Sequence, residues 1–103
     1  MKEFNEWILD VNGSGRPTMF SDNIAFDWMW TAYYFDMCLI KNPFGWSGRR
    51  IGDLVCGLEN DMRFQWKKWR KTKHDHNPVN DAKGNAEVLI KLRDDYNLNI
   101  KLK

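Results

Sequence analysis

The most apolar stretch of the chain, residues 24–40, restricts the fold more than any other feature. Only Asp27, Thr31 and Asp36 interrupt it with polar side chains. A helix of this composition is apolar around most of its circumference, so protein must cover it on most sides. Because its seventeen residues include two carboxylates, it falls short of the roughly 20 apolar residues that span a bilayer. We therefore predict a central core helix over residues 22–41 and no membrane span.

Three further segments predict the remaining helices. Apolar side chains recur at the spacing of one helical face in residues 2–11, 49–73 and 82–96. Residues 98–102 instead alternate apolar and polar side chains, which is typical of a short strand. Residues 16–20 are the other plausible extended segment and the candidate partner of that strand.

These elements predict a mainly α fold. A chain of 103 residues with 43% hydrophobic and 29% charged positions is long enough for one core and too short for two. We expect residues 1–103 to form a compact single-domain bundle of about four helices with a short C-terminal strand or tail. The predicted core consists of Trp7, Ile8, Phe26, Trp30, Phe35, Leu39, Leu54, Val55, Leu58, Trp66, Leu89 and Leu92.

Charge and cysteine content bound the class of protein. The net charge is only +2, but residues 1–48 carry −3 and residues 49–103 carry +5. Cys38 and Cys56 each lie in an apolar run, where thiols usually serve as small hydrophobes. The first ten residues include acidic side chains where a signal peptide needs a positive end. We therefore expect no export, no disulfide and a cytoplasmic location.

The strongest candidate for a binding surface is residues 63–73, where six cations alternate with three aromatic residues. Nucleic-acid binding uses this combination, because cations neutralise phosphates while rings stack on unpaired bases. On a helix, Trp66 and Trp69 would lie on the apolar stripe, which favours a solvated basic face instead. The candidate residues for DNA or RNA binding are Arg63, Phe64, Lys67, Lys68, Arg70, Lys71 and Lys73.

The connection over residues 42–50 offers a second candidate surface. Phe44, Trp46, Arg49 and Arg50 combine exposed aromatic and arginine side chains, which contribute disproportionately to protein interfaces. Glycines before a predicted helix could also hold a phosphate, but the spacing matches no phosphate-binding motif. We predict that these four residues bind a protein partner.

The two histidines of the chain flank an acidic residue in His74-Asp75-His76. Such a trio offers metal ligands or an acid–base pair. The cysteines lie far from it in sequence at no recognisable ligand spacing, so a polar loop is the favoured interpretation. His74, Asp75 and His76 remain weak metal candidates.

No catalytic motif emerges, so the sequence predicts a protein that is not an enzyme and needs no cofactor. We expect a small regulatory protein, an inhibitor or adaptor, that docks on a larger protein. A short chain rich in Trp, Asn and Lys and without an enzymatic motif has the general character of accessory proteins of phages and other mobile elements. Nucleic-acid binding is the first alternative and a small metal-dependent hydrolase the second. Self-association also stays open, because a second copy could cover the apolar helix.

Overall fold

The computed structural model describes residues 1–99 and confirms a mainly α fold with four helices. The chain divides into two compact units, residues 1–49 and residues 50–99, which are described separately below. Whether residues 1–103 act as one domain stays a prediction. The elements in chain order are α1 (Lys2–Asn12), β1 (Phe20–Ser21), α2 (Ile24–Met37), β2 (Arg49–Arg50), α3 (Ile51–Glu59), a 3₁₀ turn (Trp66–Trp69) and α4 (Pro78–Asp95).

The short strands differ from the predicted pairing. β1 pairs with β2, and the amide of Arg49 donates to the carbonyl of Met19 at 2.8 Å. Leu98 and Asn99 are not in a strand, and the rest of the predicted C-terminal strand lies outside the described residues. Within residues 1–99, each helix is too short or too polar to cross a membrane.

In the first unit, α1 and α2 meet around a small aromatic contact. Ile8 of α1 and Phe35 of α2 are buried, and the ring of Phe4 stacks on Phe35 with centroids 6.0 Å apart. α2 ends at Met37 rather than at residue 41. The reason is local, because Leu39 adopts a left-handed backbone with φ 56° and turns the chain out of the helix.

The outer surface of α2 is more exposed than the sequence predicted. Trp7, Phe26 and Trp30 are between 45% and 59% exposed, and Leu39 is 94% exposed. The prediction that these four residues belong to the core is therefore wrong in this structure. The aromatic rings of α2 pack on one another instead, as in the edge-to-face contact of Phe26 with Trp30 at 6.4 Å. Cys38 is likewise exposed, whereas Cys56 is buried.

In the second unit, the predicted helix over residues 49–73 is broken. α3 ends at Glu59, because Asn60 adopts a left-handed conformation with φ 55° and its amide donates to the helix carbonyls. Such a residue caps a helix and prevents its continuation. Residues of the predicted apolar stripe are nevertheless buried on both sides of the break, as Val55 and Trp66 show. The core of this unit contains Ile51, Val55, Cys56, Trp66, Val88 and Leu92.

Other predicted core positions of the second unit are less buried. Leu54 and Leu89 are half-buried, and Leu58 is 37% exposed. Leu58 lies in the last turn of α3, next to the residue where that helix ends, so no further turn of helix covers it.

α4 begins four residues before its predicted start at residue 82. The side chain of Asn77 accepts a hydrogen bond from the amide of Val79 at 2.9 Å, and Pro78 occupies the first helical position. An Asn cap followed by Pro is a strong helix start, because the cap satisfies a free amide and proline lacks one. This earlier start brings Asp81 into the first turn of α4, beside the histidine loop.

Candidate functional site

Three potential metal ligands converge where the histidine loop meets α4. A ligand atom of His74, one of His76 and one of Asp81 all lie within 4.8 Å of one another. The two imidazole rings are 4.9 Å apart between centroids and nearly perpendicular. We call these three residues the His-Asp cluster. Both histidines are exposed and Asp81 is half-buried, so the cluster is open to a ligand from solvent.

One carboxylate oxygen of the cluster is buried beside a histidine. His74 Nδ1 lies 2.9 Å from Asp81 Oδ1 and 3.1 Å from the Arg70 Nη1 group. Nδ1 donates to Asp81 in one tautomer and accepts from Arg70 in the other. Asp81 Oδ1 itself is shielded from solvent. A carboxylate oxygen and two imidazoles are suitable ligands for a divalent metal ion, so the residues fit a cation.

Asp75, the acidic residue that the sequence grouped with the histidines, has a different position. Its two carboxylate oxygens accept hydrogen bonds from the amide of Asn77 at 3.1 Å and from the side chain of Asn80 at 2.9 Å. These bonds, that of Asn77 first, lower the pKa of Asp75 below its ordinary value of 3.8. Asp75 thus shapes the loop that precedes α4, and Asp81 is the carboxylate in the cluster.

Sequence reasoning found the two histidines and missed Asp81. The signal that would have found it is the Asn77-Pro78 helix start, which fixes the first turn of α4. An acidic residue there is favoured by the helix dipole. The prediction began this helix at residue 82, because the polar residues before it were interpreted as a loop. Here Gly84 is buried and a β-carbon on it would lie 3.1 Å from Arg70 Cδ, so glycine allows Arg70 to approach α4.

Arg70 is fixed between α4 and the core of the second unit. Its Nη2 group donates to Asn85 Oδ1 at 2.6 Å, and its guanidinium lies 5.1 Å from the centroid of the buried Trp66 ring. Since Nη1 of the same guanidinium contacts His74, these contacts also hold the His74 imidazole in place. Arg70 therefore links His74 of the cluster to α4 and to the core of the second unit.

A basic groove adjoins the cluster. Its volume is about 260 Å³. This basic groove is lined by Lys67, Arg70, Lys71, Thr72, Lys73 and His74. Four of these six side chains are cationic, which suits a phosphate chain. His74 lines the groove and also belongs to the His-Asp cluster, so the two features share this residue.

The remaining residues of the predicted nucleic-acid surface lie at an aromatic group. Phe64 is half-buried and contacts Trp69 edge to face at 5.3 Å, and Trp69 in turn contacts Tyr96 at 5.7 Å. Lys68 Nζ lies 5.1 Å from the centroid of the Phe64 ring. Arg63 is exposed, as are Lys67, Lys68, Lys71 and Lys73. As the sequence predicted, Trp66 belongs to the core.

The backbone of the basic groove is held by Glu87 of α4. Its carboxylate accepts from the amide of Lys71 at 2.8 Å and from the amide of Thr72 at 3.0 Å. Hydrogen bonding, that of the Thr72 side chain first, lowers the pKa of Glu87 below its ordinary value of 4.5. A lowered native pKa stabilises the folded state above pH 4.5, and this contribution is lost as the pH falls through the native pKa.

We expect the backbone of the basic groove at Lys71 and Thr72 to become more mobile in acid. Amide hydrogen exchange at Lys71 and Thr72 should accelerate as the pH falls below about 4.5, after correction for the intrinsic rate, because a protonated Glu87 accepts more weakly. In Glu87→Gln this pH dependence should disappear. NMR exchange measurements between pH 3 and pH 7 test this. Unchanged protection of both amides in wild type at pH 3 would contradict it.

The four residues predicted to bind a protein partner have separate local contacts. Phe44 is half-buried and Trp46 is 91% exposed. Arg49 Nη1 donates to Ser47 Oγ at 2.7 Å, whereas Arg50 Nη1 donates to Asp53 Oδ1 at 2.9 Å. Both guanidinium groups therefore donate hydrogen bonds to residues close to them in sequence. Trp46 is the member of this set with a largely uncovered side chain.

Comparison with known proteins gives one informative match. The chain is 31% identical over 100 residues to a curated protein of Escherichia coli, the 3′-5′ DNA exonuclease Cap18. The match covers 86% of this chain and 52% of that protein, so the chain spans about half the length of its curated relative. No protein-family model matches the chain. No solved structure matches it.

This match overturns the main functional prediction. The expectation of a non-enzymatic inhibitor or adaptor that docks on a larger protein is wrong, because the relative is named as an exonuclease. The expectation that the chain is not an enzyme is wrong on the same finding. The sequence prediction also lacked the contact of Asp81 with His74, because it placed the start of α4 four residues too late.

Proposed function

We propose that this chain is a metal-dependent 3′-5′ DNA exonuclease, with the His-Asp cluster as its reactive site. The observation that carries the proposal is the convergence of one ligand atom each of His74, His76 and Asp81 within 4.8 Å of one another. The name of the relative supports the choice of reaction and substrate. The relative is about twice as long as the matched region, so the activity of the whole protein is part of the proposal.

The residues of the cluster have different roles in this proposal. Asp81 and His74 would hold a divalent cation, which supplies Lewis acidity at a phosphoryl oxygen. A ring nitrogen of His76 accepts the proton of the attacking water. As the water oxygen bonds to phosphorus, the bond from phosphorus to the 3′ oxygen breaks and that oxygen takes a proton from solvent. The backbone φ of His76 is 64°, in the left-handed region where histidine is enriched. Arg70, beside His74, adds positive charge for the phosphate that is cleaved.

The basic groove positions the DNA in this proposal. Phosphates of the strand contact Lys67, Lys71 and Lys73, which line the groove together with His74. Contacts of this kind are independent of sequence and fix the register of the strand. The strand end then reaches the cluster. The proposal thus uses most of the basic segment that the sequence singled out for nucleic-acid binding.

A direct test is an exonuclease assay with the full chain. A 5′-labelled single strand of DNA should shorten stepwise from its 3′ end in Mn²⁺, a cation that both imidazole and carboxylate accept. Excess EDTA should stop the reaction, and added Mn²⁺ should restore it. A strand with phosphorothioate linkages at its 3′ end is the matched control and should resist. Shortening from the 5′ end, or no shortening in Mn²⁺, would contradict the proposal.

A further inference from the structure

A second groove lies within the first unit, beside the exposed Trp46. Its volume is about 760 Å³, within the range of ordinary small-molecule sites. We call it the Trp46 groove. Its floor is apolar and its polar lining includes two cations. The residues that matter below are Leu9, Arg16, Ile40, Lys41, Pro43 and Trp46.

Positive charge is concentrated at this groove although its unit is acidic. Residues 1–48 contain six carboxylates and only three cations, namely Lys2, Arg16 and Lys41. Two of the three cations line the Trp46 groove, and its lining contains no carboxylate. This distribution favours an anionic ligand at this surface of the first unit.

Trp46 follows a tight turn whose Gly45 lies against the Arg16 side chain. Asn42 accepts at Oδ1 from the amide of Phe44 at 3.0 Å and at its carbonyl from the amide of Gly45 at 3.2 Å. Gly45 has φ +83°, and a β-carbon there would lie 2.9 Å from Arg16 Nη1. Glycine therefore permits both the turn and the position of the arginine.

We infer that the Trp46 groove binds single-stranded DNA, with one base stacked on Trp46 and the adjacent phosphates at Arg16 and Lys41. An exposed ring in a groove that also holds cations is an arrangement that binds unpaired strands, because every base has a face to stack. The apolar lining residues Leu9, Ile40 and Pro43 suit the sugar and base. The choice of DNA rests on the proposed function. The groove itself is independent of the His-Asp cluster, since all its residues belong to the first unit.

The test measures binding without cleavage. Fluorescence anisotropy of a labelled twelve-residue oligo-dT in EDTA gives the dissociation constant. Trp46→Ala should weaken binding about 5-fold or more, whereas Trp46→Phe retains a ring and should stay within about 2-fold. Arg16→Gln should weaken binding and reduce the salt slope by about 0.7. Lys2→Gln removes the same charge outside the groove and is the matched control. Circular dichroism checks that each variant folds.

The outcomes separate the inference from the proposed function. Equal binding by wild type and Trp46→Ala, or no binding of oligo-dT by wild type, would overturn the inference, whatever the exonuclease assay shows. Loss of binding in Trp46→Ala without exonuclease activity in wild type would support the groove and contradict the proposed function. As a direct readout, a strand containing 5-iododeoxyuridine should photo-crosslink to Trp46, as mapped by mass spectrometry. Adducts confined to residues outside the Trp46 groove would also overturn the inference.

Discussion

Replacing Asp81 with Asn is expected to lower exonuclease activity at least about 100-fold and to abolish tight Mn²⁺ binding. The substitution keeps the shape of the side chain but removes the charge that Oδ1 presents to the cation. That oxygen is buried and lies 2.9 Å from His74 Nδ1, so a neutral amide there replaces a charged ligand with a weaker one. Isothermal titration with Mn²⁺ and the nucleotide-release assay measure the two effects.

Asp94→Asn is the matched control for this prediction. Asp94 is an exposed carboxylate of the same helix, and its neighbour Arg93 donates to it at 2.9 Å. It should bind Mn²⁺ and release nucleotides as wild type does. If Asp81→Asn folds normally and still binds Mn²⁺ as tightly as Asp94→Asn does, Asp81 is not a metal ligand.

The site shows which part of a reactive centre can be predicted from one sequence. His74 and His76 are visible, because they are the two histidines of the chain and two residues apart. Their carboxylate partner is not Asp75, the nearest in sequence, since two hydrogen bonds engage it locally. Asp81 becomes a neighbour only through the first turn of α4. The contact of Asp81 with the histidine loop depends on where the Asn77 cap starts α4. The spacing of apolar residues carries no information about that cap.

The break after α3 illustrates a second limit. Apolar spacing over residues 49–73 fits one helix, yet the same spacing is satisfied by α3 and a 3₁₀ turn. Trp66 and Trp69 are three residues apart, which is one turn of a 3₁₀ helix. The break depends on Asn60, whose left-handed conformation is permitted by a short polar side chain. Periodicity predicted which residues are buried, such as Val55 and Trp66, better than it predicted the helix that carries them.

The last prediction concerns the unusual surface of α2. Phe35 is fully buried, whereas Phe26 of the same helix is 57% exposed. Phe35→Ala should therefore reduce the free energy of unfolding by about 3–5 kcal/mol, since it removes a large buried ring and leaves a cavity. Phe26→Ala should cost less than about 1 kcal/mol, as is usual for exposed positions. Urea denaturation followed by circular dichroism measures both variants of the full chain.

The comparison between the two phenylalanines decides how the apolar character of α2 is accommodated. Composition alone predicted that most of its circumference is covered, but the structure buries Phe35 while leaving Phe26 and Trp30 exposed. If only Phe35→Ala is destabilised, contacts among the rings of α2 suffice to support the exposed surface. An equal loss in Phe26→Ala would contradict the exposed position of that ring. A dependence of the Phe26→Ala effect on protein concentration would then identify a second copy as the cover, because mass action links association to stability.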